Sequence, residues 1–489
     1  MAEHSYRLGV AMDGDHVSGA IADSDGDVVE ATTQRLTGRP TLDAALTAVL
    51  YSFLSGGRAA RKIDRVAFAI SAVDDRVAFR KASVNNWSAG LVPVAVVRLG
   101  AATTAVPPLA LWSPAFRDQV ALARTCVAGG ARLDGTDLEP LDEAALTDFA
   151  RSVAGRVQAV AVTGVFANLT PDHELAAAAV LEKELGSSVP IMLSHEIGGG
   201  GLLDRENATV LQAAMTAPAA RDAVHVQNML VEHDLGHAEV FFSRHDGTIT
   251  ALDYAAGHPL TLYGGAAAAT ARGAARLAGE QDALVVLTRA DDTPPAVCAV
   301  TAGQPRLTAG HTSIVGVPTS LRVIAQVPAR PTGERVDACA MVEAVDRAKT
   351  APEDLPLLLG GPGAEDLAAA LPLRLSGTLG VRCPPWAAAA AAVGVATAPV
   401  GGEAERVVPV HGEQAAEMRE AVSEAARTAA IRAGADPLCA RTKLIEETPL
   451  SYLAEPAVAL RAHADGPPRP GVAPTAEGTA TGTHRLVTR

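Results

Sequence analysis

The chain has 489 residues, 48 % of them hydrophobic and 20 % charged; that is apolar material for more than one core and excludes a small disulfide-stapled module or a globally disordered polypeptide. Lysine and arginine number 41 against 55 aspartate and glutamate, a formal net charge of −14, and aromatic residues make up only 3 %, so neither a phosphate-backbone surface nor a base-stacking platform is expected. Five cysteines, Cys126, Cys298, Cys339, Cys383 and Cys439, stand far apart without a C-x-x-C pair, the pattern of reduced thiols rather than of a zinc knuckle.

Met1 to Tyr6 is polar and leads straight into strand-like sequence, with no secretory apolar region, so a cytoplasmic chain is expected. Tyr6–Val10, Gly19–Asp23 and Val28–Thr32 are short β-type runs separated by Asp/Gly turns, an antiparallel meander. Helical spacing follows at Thr41–Leu54 and a β-branched run at Arg65–Ile70, giving a β-β-β-α-β order. Val94–Leu99, Ala159–Thr163 and Pro190–Leu193 are predicted strands that alternate with helices at Asp142–Val153 and Asp172–Leu185, the mark of a partly parallel sheet.

Beyond Gly200 the pattern restarts. Asn207–Met215 is predicted helical, Glu239–Ser243 and Ile249–Leu252 pair across His245-Asp246-Gly247, and Ala266–Ala278 forms a small-residue helix. Leu284–Leu287 and Leu355–Leu359 are strands, the second running into Gly360-Gly361-Pro362-Gly363. Trp386–Val400 is alanine-rich and about 15 residues long, short of the ~20 of a bilayer span, and is expected to be a buried helix. Glu413–Ala433 is a helix stopped by Gly434, and from Asp465 onward Pro, Gly and Thr predict a disordered tail.

Three segments in order carry a family resemblance: Ala102-Thr103-Thr104-Ala105-Val106-Pro107-Pro108, Ser194-His195-Glu196-Ile197-Gly198, and Leu202-Leu203-Asp204-Arg205-Glu206-Asn207-Ala208-Thr209. Together they resemble the hydantoinase/oxoprolinase A-subunit family. Val162–Glu174 and the pair Ala433–Asp436 with Glu447–Leu453 extend the likeness from about residue 6 to about residue 465. The resemblance implies an α/β fold of two ribonuclease-H-like lobes, as in actin-like ATPases, with mixed sheets flanked by helices. The corresponding division is 1–195 for the first lobe, 196–404 for the second, 405–464 for a C-terminal helix and strand, and 465–489 for the tail. It also implies ATP and Mg²⁺ as cofactors, a cyclic amide such as a hydantoin or 5-oxoproline, or a ketone, as substrate, and a B-type subunit or a second copy as partner.

Two phosphate loops depart from the family's Asp-x-Gly-Gly-Thr pattern. The first is Ala11-Met12-Asp13-Gly14-Asp15, in which Ala11 replaces the leading carboxylate and Asp13 and Asp15 stand where a phosphate would lie. The second is Leu287-Thr288-Arg289-Ala290-Asp291-Asp292, again without its leading Asp and glycines. Tyr263-Gly264-Gly265-Ala266 stands in place of Ser-Gly-Pro, whereas Gly360, Gly361 and Gly363 keep the adenosine-side loop. Expected ligand-binding positions are therefore Asp13, Gly14, Asp15, Gly264, Gly265, Gly360, Gly361 and Gly363, with impaired ATP chemistry. Two alternatives stay open: a non-catalytic structural or regulatory partner of a B-type chain, and an ATP-independent hydrolase with a divalent metal at Asp13 and Asp15.

Catalytic candidates are His195, Glu196, Asp204 and Glu206, around the glycine run Gly198–Gly201. On a strand Ser194 and His195 would point to opposite faces, so the segment is either a substrate-orienting loop or a structural element in which Asp204 caps the following helix. His233 and His237 have i, i+4 spacing, but Gly236 argues against the helix a metal would need. The acids of Glu403–Glu420 suggest a solvated surface, and the basic Gly56–Lys62 segment an exposed loop.

Overall fold

The computed structural model describes residues 5–38, 40–55, 63–70, 90–291, 293–330, 337–409, 414–450 and 457–470. Strand Tyr6–Asp13 pairs antiparallel with His16–Ala22, and that with Val28–Arg35. After helix Leu42–Ser55, strand Ile63–Ala69 returns parallel to the first, and Glu239–Ser243 lies parallel beside it. The same order recurs later in the chain. Ala283–Leu287 pairs antiparallel with Ala296–Thr301, which pairs with Gln304–Pro305; after helix Ala338–Ala348, the strands Leu355–Gly360 and Thr378–Arg382 add in parallel. This duplicated arrangement is the pair of ribonuclease-H-like lobes, and the chain is an α/β protein with mixed sheets flanked by helices.

Side-chain alternation explains why the first strand is central. Leu8 and Val10 enter the core beneath helix Leu42–Ser55, while Ala11 enters the opposite core around helix Ala390–Thr397. Gly9 admits that helix, because a Cβ would overlap the carbonyl of Ala392. Helix Ala390–Thr397 also crosses helix Gly265–Ala278 at close range: a Cβ on Gly273 would overlap the backbone of Ala390, and one on Gly394 the backbone of Ala269.

Residues 94–193 form a separate parallel sheet, in the order Ala121–Val127, Val94–Leu99, Ala159–Gly164, Ile191–Leu193. A 31-residue helix, Leu202–Glu232, leads out of it, far longer than the predicted Asn207–Met215. It runs through Pro218, which cannot donate to the carbonyl of Ala214. The N–H of Val92 takes that carbonyl instead, at 2.9 Å.

The first lobe's sheet continues through Ile249–Ala251, Val400–Pro409, Ala457–Gly466 and Arg441–Pro449 to nine strands. It thus draws on each of the segments 1–195, 196–404 and 405–464. Helix Gln414–Arg432 ends before Gly434, whose φ is 108°. Strand Ala457–Gly466 includes Asp465, and most of the expected tail, 471–489, lies outside the described residues, as does 56–62. Among the described residues no helix is long and apolar enough to cross a membrane.

Candidate functional site

The equivalent strands of the two lobes end in turns that face each other. In the first turn Gly14 has φ 60°, and a Cβ there would lie 3.1 Å from the Cβ of Ala290 in the second. The Ala290 N–H donates to Asp13 Oδ2 at 3.2 Å, and Arg289 Nη2 lies 3.6 Å from Asp13 Oδ1. The third turn is locked onto the second, since Thr288 donates its N–H and its hydroxyl to the Gly360 carbonyl at 2.9 and 3.1 Å. Gly361 is required beside it because a Cβ would overlap the Thr288 carbonyl.

Between the turns lies a cleft of about 330 Å³ whose polar lining includes Asp13, His16, Thr270, Thr288, Arg289 and Gln326, set among alanines and prolines. Gly264, with φ 75°, and Gly265, where a Cβ would lie 2.5 Å from the Ser243 carbonyl oxygen, start the helix whose Ala266, Ala267 and Thr270 face the cleft. Gly363, φ 80°, follows the lining Pro362. Burial raises the Asp13 carboxyl above its ordinary range, against the pull of Arg289 and the Ala290 N–H.

Asp15 turns elsewhere. Its Oδ2 accepts from Arg35 Nε at 2.7 Å and its Oδ1 lies 2.8 Å from His16 Nδ1; the Arg35 hydrogen bond holds it below the usual carboxylate range. The oxygens of Asp13 and Asp15 are thus already addressed by separate partners. Among the described residues no group of three or more His, Cys, Asp or Glu side chains is placed to hold a metal ion. The family's leading carboxylate positions carry Ala11 and Leu287, both buried and both presenting apolar side chains to the cleft. These residues do not fit a Mg²⁺-bound triphosphate held in the family's manner. Asp292 lies outside the described residues.

The segment Ser194–Ile197 is a short helix, not the end of a strand. That corrects the opposite-faces expectation: both Ser194 and His195 reach Glu174. Glu174 accepts from the Ser194 hydroxyl at 2.5 Å, the Gly164 N–H at 2.7 Å and the His195 N–H at 3.0 Å, and its Oε2 lies 2.6 Å from His195 Nδ1. Arg205, 1 % exposed, donates from Nε to Ser194 Oγ and through its other nitrogens to the carbonyls of Gly199 and Gly164. Burial pushes the Glu174 carboxyl up, but hydrogen bonds from His195 and Ser194 prevail and leave it lowered. A carboxylate fixing one imidazole nitrogen is the geometry that orients a general base.

The other catalytic candidates do not converge on His195 or the cleft. Glu206, fully buried, takes Arg98 Nε and Nη2 at 2.7 and 2.8 Å and the Leu109 N–H at 3.0 Å, binding the helix to the 94–193 sheet. Asp204 Oδ2 lies 2.7 Å from His311 Nδ1, and its carbonyl accepts the Ser320 N–H. It is not the helix cap: the helix starts at Leu202 after Gly201, with no side-chain cap. Glu196 is exposed. His233 ends the long helix beside Asp43, 2.7 Å away, rather than beside a second metal ligand. Glu403, expected on a solvated surface, is instead paired with Arg461 and lies 3.1 Å from His245 Nε2. Glu174 and Arg205 stood in the segments that carried the resemblance but were given no site role, and Arg98 was not noted, since an acid in a first helical turn and an arginine in a strand are ordinary there.

Residues 93–185 match the family model described as the hydantoinase/oxoprolinase N-terminal region. No curated protein matches the chain. Among solved structures, the ATP-dependent caprolactamase from Pseudomonas jessenii is similar with a TM-score of 0.69 and 15 % identity, over 97 % of this chain and 90 % of that one. A nucleotide-free acetone carboxylase, described with ATP-dependent acetone carboxylation, is similar with a TM-score of 0.61 and 13 % identity, over 95 % and 88 % of the two chains. The resemblance to the hydantoinase/oxoprolinase family therefore stands on sequence at residues 93–185 and on fold over nearly the whole chain.

Proposed function

We propose that the chain is a hydantoinase/oxoprolinase-type protein whose interlobe cleft takes a small neutral cyclic amide or ketone and which does not run ATP-driven phosphoryl transfer. The observation that carries this reading is the Asp13 carboxylate, bonded to the Ala290 N–H where the two turns meet. A phosphate oxygen brought to about 4 Å of that carboxylate would meet a repulsion of about 4 kcal/mol per unit charge at an effective dielectric constant of about 20, which Arg289, 3.6 Å from Asp13 Oδ1, offsets only in part. The Ala290 N–H, which a phosphate would need as a donor, is already used. The remaining lining suits a neutral polar ligand: the Gln326 amide offers donors and an acceptor, and the Thr270 and Thr288 hydroxyls, whose protons go to the Ala266 and Gly360 carbonyls, offer acceptor lone pairs among apolar walls.

Calorimetric titration tests it. Mg-ATP is expected to give no saturable heat with the natural chain at millimolar nucleotide, whereas the Ala11→Asp, Asp13→Gly variant is expected to gain affinity at least tenfold. Hydantoin or caprolactam is expected to raise the melting temperature of the natural chain without ATP. Saturable Mg-ATP binding together with ligand-stimulated phosphate release from the natural chain would overturn the proposal.

A further inference from the structure

The largest cavity described is not the cleft. It measures about 950 Å³ and lies where the second lobe meets the C-terminal strands, lined by residues as distant in sequence as Arg7, Arg272, Arg306, Lys443 and Arg461. Strand Tyr6–Asp13 connects the two places: Arg7 lines this cavity and Asp13 the cleft. At about 3.3 Å per residue those ends stand about 20 Å apart, so the cavity is a separate site.

Its charge runs against that of the molecule. Six arginine and lysine side chains and three carboxylates line it, in a chain whose net charge is −14. Glu446 accepts from Arg322 Nη1 at 2.8 Å and Asp465 from Gln304 Nε2 at 3.1 Å; Asp246 accepts at Oδ1 from the Thr248 N–H and hydroxyl at 2.9 and 2.6 Å, while its Oδ2 has no hydrogen bond and lies 3.4 Å from Arg244 Nε and 3.7 Å from His463 Nδ1. Among the described residues Arg272 and Arg306 have no carboxylate within salt-bridge reach, and Arg272 finds only the Gly303 carbonyl, at 3.4 Å. Arg461 is 9 % exposed; it spends Nη2 on Glu403, and its Nη1 has no hydrogen-bond partner. The buried Nε2 of His463 is likewise unpartnered.

Buried donors left unpaired are costly, and guanidinium groups pair best with planar or tetrahedral oxyanions through parallel N–H···O bonds. We propose that this cavity is a binding site for a small oxyanionic ligand, a carboxylate or phosphate compound, held chiefly by Arg272, Arg306 and Arg461. The site is independent of the cleft and of what the cleft binds.

Titration of the full chain with inorganic phosphate and, separately, with succinate tests the site at fixed ionic strength set by chloride. One of the two is expected to bind saturably with a Kd at or below about 1 mM; phosphate alone assigns a phosphate compound and succinate alone a carboxylate. Arg306→Gln is exposed and paired with no carboxylate, so it keeps the fold; it is expected to weaken binding about tenfold, and Arg272→Gln as much again. Asp13→Asn in the cleft is expected to leave binding unchanged. No saturable binding of either anion, equal binding by both arginine variants and the natural chain, or loss of binding in Asp13→Asn would each overturn the proposal.

Discussion

At Glu174 a single buried carboxylate receives four donors, from Gly164, Ser194 and both the backbone and the ring of His195. Replacing it by alanine would leave these buried groups unpaired. Glu174→Ala is expected to cost about 3 kcal/mol in urea denaturation at neutral pH, and Glu174→Gln, which keeps one acceptor oxygen, about half as much. Because the folded carboxyl is lowered, its contribution is complete above the unfolded value of about 4.3 and fades as pH falls through the folded value, so the gap between variant and natural chain narrows in acid. A Glu174→Ala chain within about 1 kcal/mol of the natural one at pH 7 would show that the network holds little. The sequence made Ser194 and His195 visible but hid their partner, 21 residues upstream of His195. Strand periodicity would have parted the two side chains; one turn of helix turns both toward Glu174. The altered turn at Asp13 was legible as a departure from a loop pattern, whereas its bond to Ala290 arises from the meeting of two lobes and leaves no local trace.

Among elements, helices Gly265–Ala278 and Ala390–Thr397 cross between the lobes with backbones in direct contact at Gly273 and Gly394. Their alanine and glycine content was readable, and it predicted a buried helix at Trp386–Val400; the crossing partner was not, because small-residue runs carry no record of what they touch. Gly394→Ala would drive a methyl into the backbone of Ala269, rigid helix rather than a yielding side chain. The expected loss is about 2 kcal/mol or more, read as a lower urea midpoint with an unchanged denaturant slope. A midpoint equal to that of the natural chain would show that the helices part without strain. The β-β-β-α-β opening followed from turn residues and periodicity. The long helix did not, since Pro218 is a local stop signal that only the distant Val92 N–H makes tolerable. The attachment of the C-terminal strands to the first sheet was equally hidden, being a pairing between segments far apart in the chain.

For the whole molecule, a second set of charged groups that bears on acid stability joins the hairpin turn Arg244-His245-Asp246 to the C-terminal strands. Arg244 lies 3.4 Å from Asp246 and 3.8 Å from Glu403, and Glu403 also holds Arg461 of the last strand. Burial opposes the charge on both acids. For Asp246 the opposition is overcome by Arg244, His245 and His463, and for Glu403 by Arg461, His245 and Arg244, so both carboxyls sit well below their ordinary range, although Glu403 keeps 23 % of its side-chain surface accessible. A lowered folded value means stability that is fully present above the unfolded values of about 3.9 and 4.3 and is lost as pH falls through the folded ones. Between those limits each group removes about 1.4 kcal/mol per pH unit, about 2.7 kcal/mol per unit for the two together. The urea midpoint is therefore expected to drop steeply below about pH 4. Glu403→Gln is expected to be less stable at pH 7, because it leaves Arg461 without its counter-charge, and to lose stability less steeply in acid, by about 1.4 kcal/mol per pH unit. An acid slope that is the same in Glu403→Gln and the natural chain would remove Glu403 from this account and leave the acid response to other carboxylates.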